Sequence, residues 1–293
     1  MHVQAQTKFN TVMIPRLVSL AAPHTPPALT STALLSHPFP SEVVVKRSSS
    51  NIFYYDSALD DVDVDEDKKD ASYSTRIDQR LSYETVSLSS KQFVEALKKQ
   101  HDGDSASPTH YFTAPLTSPA FLPFLRAHIP SYRASLAPAF PSTPSRLNPS
   151  LWVGGLSTTT QTHYDVYDNV LTQLSGRKRV RVFHPSACGV GGLNMFPDSD
   201  PRARKSQLVL ADVPALPEPL LDVVLEHSSG VFIPAFFPHH CEVVSDPSTS
   251  SVSVSLNAFA QSGTGSSAAK LLAEISRHPE VRVCEELSDS YGI

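Results

Sequence analysis

The chain has 293 residues, 40% of them apolar, enough to bury one sizeable core. A formal net charge of −5 excludes a protein that coats nucleic acid through overall positive charge, leaving room only for a local basic patch. No apolar run reaches the ~20 residues needed to span a bilayer.

Three widely spaced cysteines, Cys188, Cys241 and Cys284, form no C-x-x-C pair, so the thiols are expected to be reduced rather than zinc-bound or bridged. The expected location is cytoplasmic or nuclear. Residues 1–41 carry Lys8 and Arg16 and no acidic side chain before Glu42, a faint likeness to an organelle transit segment. Pro23, Pro26, Pro27, Pro38 and Pro40 forbid a continuous amphipathic helix there, so residues 1–40 are expected to be a disordered tail without a targeting role.

Residues 41–150 read as an N-terminal α+β elaboration. Ser41 to Tyr55 holds two β-branched or aromatic runs split by serines, suiting two strands or a hairpin. The acidic loop over 56–70 alternates aspartate with valine but lacks the EF-hand pattern: counting from Asp61, the sixth place is Glu66 and the twelfth Ser72. It reads as a solvated loop. Ser89 with Gln92 forms a capping box for a helix carrying Phe93, Val94 and Leu97 on one side and ending near His101-Asp102-Gly103. Thr109–Leu116 reads as a strand. Prolines then recur to Pro149, permitting only short helices or irregular wrapping.

From Leu151 the texture becomes β-like. Seven short runs, L-W-V-G-G-L, T-Q-T-H-Y-D, N-V-L-T-Q-L, K-R-V-R-V-F, L-D-V-V-L-E, G-V-F-I-P and S-V-S-V-S-L-N-A-F, predict a sandwich or jelly-roll core over 151–260. Residues 186–216 are a long polar connection. Residues 261–293 read as a linker and a helix from about Ser267 to Arg277.

Chemistry concentrates at His163 and Asp165. Two residues apart on a strand end, they project the same way and can chelate one ion. A third ligand is available at His239 or His240. Adjacent strand residues face opposite sides, so only one of these can serve. Two histidines and a carboxylate suit a non-haem iron with open positions, and zinc can use the same set. Alternation also places Lys178 and Val180 on one face of their strand and Arg177, Arg179 and Arg181 on the other, so the lysine is expected inward, where a cosubstrate would lie.

The stretch T-H-Y-D-V-Y-D-N-V-L-T-Q-L-S-G-R-K-R-V-R-V-F-H-P resembles the core signature of the JmjC, cupin-like family of 2-oxoglutarate-dependent oxygenases, and within it the tRNA hydroxylases of wybutosine biosynthesis. The resemblance implies a mostly β double-stranded β-helix, a jelly roll. It implies His163, Asp165 and His239 as Fe(II) ligands, with His240 as the alternative. Lys178 and Thr160 would hold the distal carboxylate of 2-oxoglutarate, and Tyr111, Asn169 and Asn257 would line its pocket. The substrate implied is a hypermodified guanosine of tRNA, with Arg177, Arg179, Arg181, Arg202, Arg204 and Lys205 as a basic rim for its phosphates. A protein side chain is the alternative substrate, and a cupin-like binding module without catalysis is the other reading. A homodimer is a further possibility of the family. The family's Gly-Asp-x-x-x-I-P approach to the third ligand is Ser228-Ser229-Gly230-Val231-Phe232-Ile233-Pro234 here.

Overall fold

The computed structural model of the protein describes residues 15–19, 41–50, 52–53, 83–101, 107–118, 136, 140, 147–189, 191–196, 203–208, 217–245 and 252–260. The acidic loop, Arg202, Cys284 and the expected C-terminal helix lie outside them. The strands are β1 (Arg16–Ser19), β2 (Glu42–Ser48), β3 (Ile52–Phe53), β4 (Tyr83–Ser89), β5 (Thr109–Pro115), β6 (Leu147–Gly154), β7 (Thr159–His163), β8 (Asp168–Ser175), β9 (Arg177–Val182), β10 (Leu221–Leu225), β11 (Ser229–Ile233), β12 (His239–Val244) and β13 (Ser253–Ala260). The helix α1 (Ser90–His101) follows β4, and a 3-10 turn spans Pro185–Cys188.

Two sheets face each other. The larger has the order β1-β11-β8-β13-β6-β5-β2-β4 and the smaller β10-β9-β12-β7-β3. Counting β6 to β13 as one to eight, the central orders are 6-3-8-1 and 5-4-7-2, the jelly roll of two Greek keys. Alternation sorts the side chains of the larger sheet into two cores. Leu171, Val231 and Ile233 point at the smaller sheet and meet Val180, Val182, Leu225, Phe237 and Cys241. Their neighbours Val170, Phe232, Val254 and Leu256 point away and pack with Phe112, Phe93 and Leu97, the last two from α1. Fully burying side chains of this size stabilises the fold by about 1.5–3 kcal/mol each.

The capping box forms as expected: the Gln92 amide donates to Ser89 Oγ at 3.3 Å and the Ser89 amide to Gln92 Oε1 at 2.9 Å. The run at 41–55 gives the expected two strands rather than the hairpin, because β2 pairs with β4 and β5 in the larger sheet while β3 runs parallel to β7 in the smaller. Two expectations change. The stretch expected to be a disordered tail contains β1, which pairs antiparallel with β11 and sets the Arg16 guanidinium 4.5 Å over the Phe232 ring. Finally, Cys188 is disulfide-bonded, whereas Cys241 is a free, buried thiol. Among the described residues no helix is long and apolar enough to cross a membrane.

Gly176 joins β8 to β9 with φ +66, and a Cβ there would lie 2.7 Å from the Val252 carbonyl oxygen. Gly191 has φ +86 and open space around it. Gly176→Ala is therefore expected to lower stability by about 2–3 kcal/mol in urea denaturation. Gly191→Ala should cost only the backbone preference, about 1 kcal/mol.

Candidate metal centre

The end of the jelly roll where β7 finishes and β12 begins holds the chemistry. Regular antiparallel pairing would advance both strands together, but His239 pairs with His163 while Cys241 pairs with Thr160. Two steps along β12 thus match three along β7. This inserted residue lets Thr160 and His163, an odd number apart, face the same side. Gln161 turns the other way and donates to the carbonyls of Ser206 and Leu208.

His163, Asp165 and His239 converge, with one ligand atom from each lying within 4.8 Å of the others. The two imidazole centroids are 4.4 Å apart, and His239 Nε2 is 3.7 Å from Asp165 Oδ2. Both rings are oriented alike. His163 Nδ1 donates to the Gln161 carbonyl at 2.7 Å and His239 Nδ1 to the Phe237 carbonyl at 3.0 Å. A carbonyl can only accept, so each ring carries its proton on Nδ1 and offers the Nε2 lone pair to the cluster. Burial, reinforced by His239, pushes His163 down to about 4, so its ring is neutral near pH 7, as a metal ligand must be. The donor set fits a divalent ion such as iron or zinc.

His240 is not part of the cluster. It is buried on the opposite face of β12, paired in register with Arg181, and burial with the Arg181 charge pushes it down to about 3. The serines that replace the family's usual turn close it by other means. Ser228 takes φ 63, and Ser229 Oγ accepts from the Glu226 amide at 2.8 Å while donating to the Glu226 carbonyl at 2.7 Å. The strand leading to His239 is thereby kept in place.

Lys178 lies inward as alternation predicted, 4% exposed, with Val180 and Val182 fully buried beside it. Its Nζ donates to Ser255 Oγ at 2.5 Å, and burial pushes its pKa down to about 8. Thr160 is buried on β7 opposite Cys241, between the cluster and the lysine along the smaller sheet. Asn257 is 8% exposed on the same face of β13 as Ser255. Asn169 Nδ2 lies 3.5 Å from Asp165 Oδ2, so this asparagine steadies a cluster carboxylate. Tyr111 is buried on β5, its ring 5.6 Å from Trp152 and 5.4 Å from Phe53.

The outward arginines are engaged. Arg179 makes two hydrogen bonds to Asp222, Arg177 lies 3.4 Å from Glu226 and Arg181 3.7 Å from Glu242. Lys205 bridges His163 main chain to main chain, drawing part of the long connection alongside the site. Sequence reasoning missed Ser255, the partner of Lys178, and Asp168, whose carboxylate accepts from the Ala235 amide at 3.0 Å. The signal for Asp168 was available, since aspartate is depleted in strands and this one directly precedes the β-like run N-V-L-T-Q-L.

A jelly roll with two histidines and a carboxylate converging at one end defines the class of metal-site β-barrels to which cupins belong. The chain belongs to the cupin-like domain family, whose model matches residues 27–262. No curated protein matches the chain. Among solved structures, procruciferin, the 11S globulin of Brassica napus, is similar at 12% identity with a TM-score of 0.28, over 52% of this chain and 25% of that one. The chain thus spans about a quarter of that protein's length, and so slight a likeness carries no argument.

Replacing a cluster residue and its neighbour separates the two histidines. His163→Ala or Asp165→Ala is expected to weaken Co(II) or Fe(II) binding at least 100-fold in calorimetric titration, while His240→Ala leaves it within about threefold. Acid should also tell on the metal-free fold. With His163 near 4 when folded and at its ordinary 6.5 when unfolded, the unfolded chain binds more protons between these values. Stability is therefore full above about pH 6.5 and falls as pH drops toward about 4. Urea melts at pH 7 and pH 4.5 should show this fall, and His163→Ala should make it shallower.

Proposed function

We propose that this protein is an Fe(II)- and 2-oxoglutarate-dependent hydroxylase. The observation that carries the proposal is Lys178, an ammonium buried on the inward face of β9 whose hydrogen-bond partner is a neutral serine. No carboxylate pairs with it among the described residues. An inward ammonium without a counter-charge is costly, and an anionic ligand entering the barrel would offset that cost. A dicarboxylate with one end at Lys178 and the other at the His163-Asp165-His239 cluster meets both requirements.

In this reading His163, Asp165 and His239 would hold the iron. Lys178 takes the distal carboxylate through a charge-assisted hydrogen bond, with the hydroxyls of Ser255 and Thr160 filling remaining lone pairs. Asn169 keeps Asp165 turned toward the cluster. Asn257 and Tyr111 are assigned to the wall of the cosubstrate pocket. Phe236 and Phe237, both buried beside the third ligand, exclude water from that side. Bound there, iron would activate dioxygen and 2-oxoglutarate would supply two of the electrons that reduce it, so the protein's work is to position, to neutralise and to keep dry.

The substrate proposed is the one the sequence resemblance implies, a hypermodified guanosine of tRNA. One observation favours the second reading, a protein side chain: Arg177, Arg179 and Arg181, half of the six residues assigned to the rim that would receive phosphates, already have acidic partners. Mass spectrometry of phenylalanine tRNA from cells lacking the gene decides between them. Loss of the hydroxylated nucleoside supports tRNA, and an unchanged level sinks it.

Iron-loaded protein is expected to convert 2-oxoglutarate to succinate slowly even without substrate, and His163→Ala and Asp165→Ala are expected to abolish this. Absence of both turnover and 2-oxoglutarate binding would leave a binding module instead. Lys178→Ala should weaken 2-oxoglutarate binding by about 100-fold or more, the loss expected when a buried carboxylate forfeits its charged partner. With Lys178 titrating near 8, the affinity of the wild type should fall as pH rises through that value, because the neutral amine no longer attracts the carboxylate.

A further inference from the structure

One fully buried acid has no part in the roles above. Asp168 opens β8 at 0% exposure, and an aspartate at such a place is unfavourable both for the strand and for burial. Its Oδ1 accepts from the Ala235 amide at 3.0 Å. One residue further on, the Phe236 amide donates to the Asp165 carbonyl at 2.7 Å, and Phe236 takes φ 68, a left-handed conformation that a bulky side chain adopts only when held there. These two amides belong to the loop 234–238 that delivers His239. Pro234 has no amide to give, so the first two donors of that loop are both spent on the segment 165–168, which delivers Asp165. One of the two acceptors is main chain and would survive any substitution. The other is the Asp168 side chain.

We propose that Asp168 is a positioning residue for the metal centre: by anchoring Ala235 it holds the loop of the third ligand against the loop of the first two, setting His239 at its distance from His163 and Asp165. The role rests on the metal-centre reading above and predicts that Asp168 acts on the ion without touching it. Residues that orient metal ligands typically change affinity by about 10–100-fold when lost.

The test is Co(II) binding, followed by titration and by the visible absorption of the bound ion, with circular dichroism and thermal melts of the same samples. Asp168→Leu, which removes the acceptor, is expected to lose at least tenfold in affinity and to shift the absorption bands, with the fold retained. Asp168→Glu displaces the acceptor by one methylene and should lose about fivefold or more with a similar shift. Asp168→Asn, which can still present an oxygen to Ala235, should stay within about threefold of wild type. Should Asp168→Leu not fold, the contrast between glutamate and asparagine decides. Glutamate binding cobalt like wild type, or asparagine losing as much as glutamate, overturns the role. Cobalt binding that is abolished by His163→Ala but indifferent to Asp168 leaves the metal centre standing and removes only this assignment. A wild type that binds no cobalt overturns both.

Discussion

The site depends on one extra residue in β7. Pairing His239 with His163 and Cys241 with Thr160 forces three steps of one strand against two of the other, and a strand so kinked presents both Thr160 and His163 to the barrel. Without it the pleat would send one of them outward. The same irregularity frees Gln161 to face the other way, where its amide binds the carbonyls of Ser206 and Leu208. The long connection between β9 and β10 is thereby tied to the strand that carries the first ligand. The Ser206 amide to the Thr162 carbonyl at 2.8 Å and the Tyr164 amide to the Arg204 carbonyl at 3.0 Å continue that seam past the site.

Around this kink the barrel separates two kinds of charge. Outside, the arginines of β9 meet acids of β10, β12 and the turn after β10 in partly exposed pairs, each worth about 1 kcal/mol or less. Their effect is to keep the outer face near neutrality. Inside, Lys178 has a serine and a thiol environment rather than a carboxylate, and its depressed pKa measures how poorly that setting supports a charge. A fold optimised only for stability would place an apolar side chain there. Retaining a lysine makes sense where a ligand completes the pair.

Much of this was legible in the chain because it follows from alternation. The inward Lys178 and outward arginines, the choice of one histidine from His239-His240, and the shared direction of His163 and Asp165 all rest on a period of two. The helix cap at Ser89 and Gln92 was equally local. What escaped were features whose partner lies far along the chain. The strand at Ile52–Phe53 was expected, but not that the open edge of β7 would draw it into the smaller sheet, and Arg16–Ser19 is ordered by the edge of β11. Neither sheet edge can be seen from the segment itself. The residue type of Asp168 could have flagged it, but its partner Ala235, 67 residues on, could not be read from the segment.

The amino-acid sequence by itself determined the strand periodicity, the inward or outward sense of most side chains and the set of residues able to hold a metal, because these depend on neighbours one or two places away. Only the tertiary structure decided that β7 gains a residue against β12, that His239 and not His240 joins His163 and Asp165, and that Asp168 reaches Ala235. These depend on pairings between residues 67 to 81 places apart, from Asp168 with Ala235 to Thr160 with Cys241, whose register is set when two sheets close over a common core.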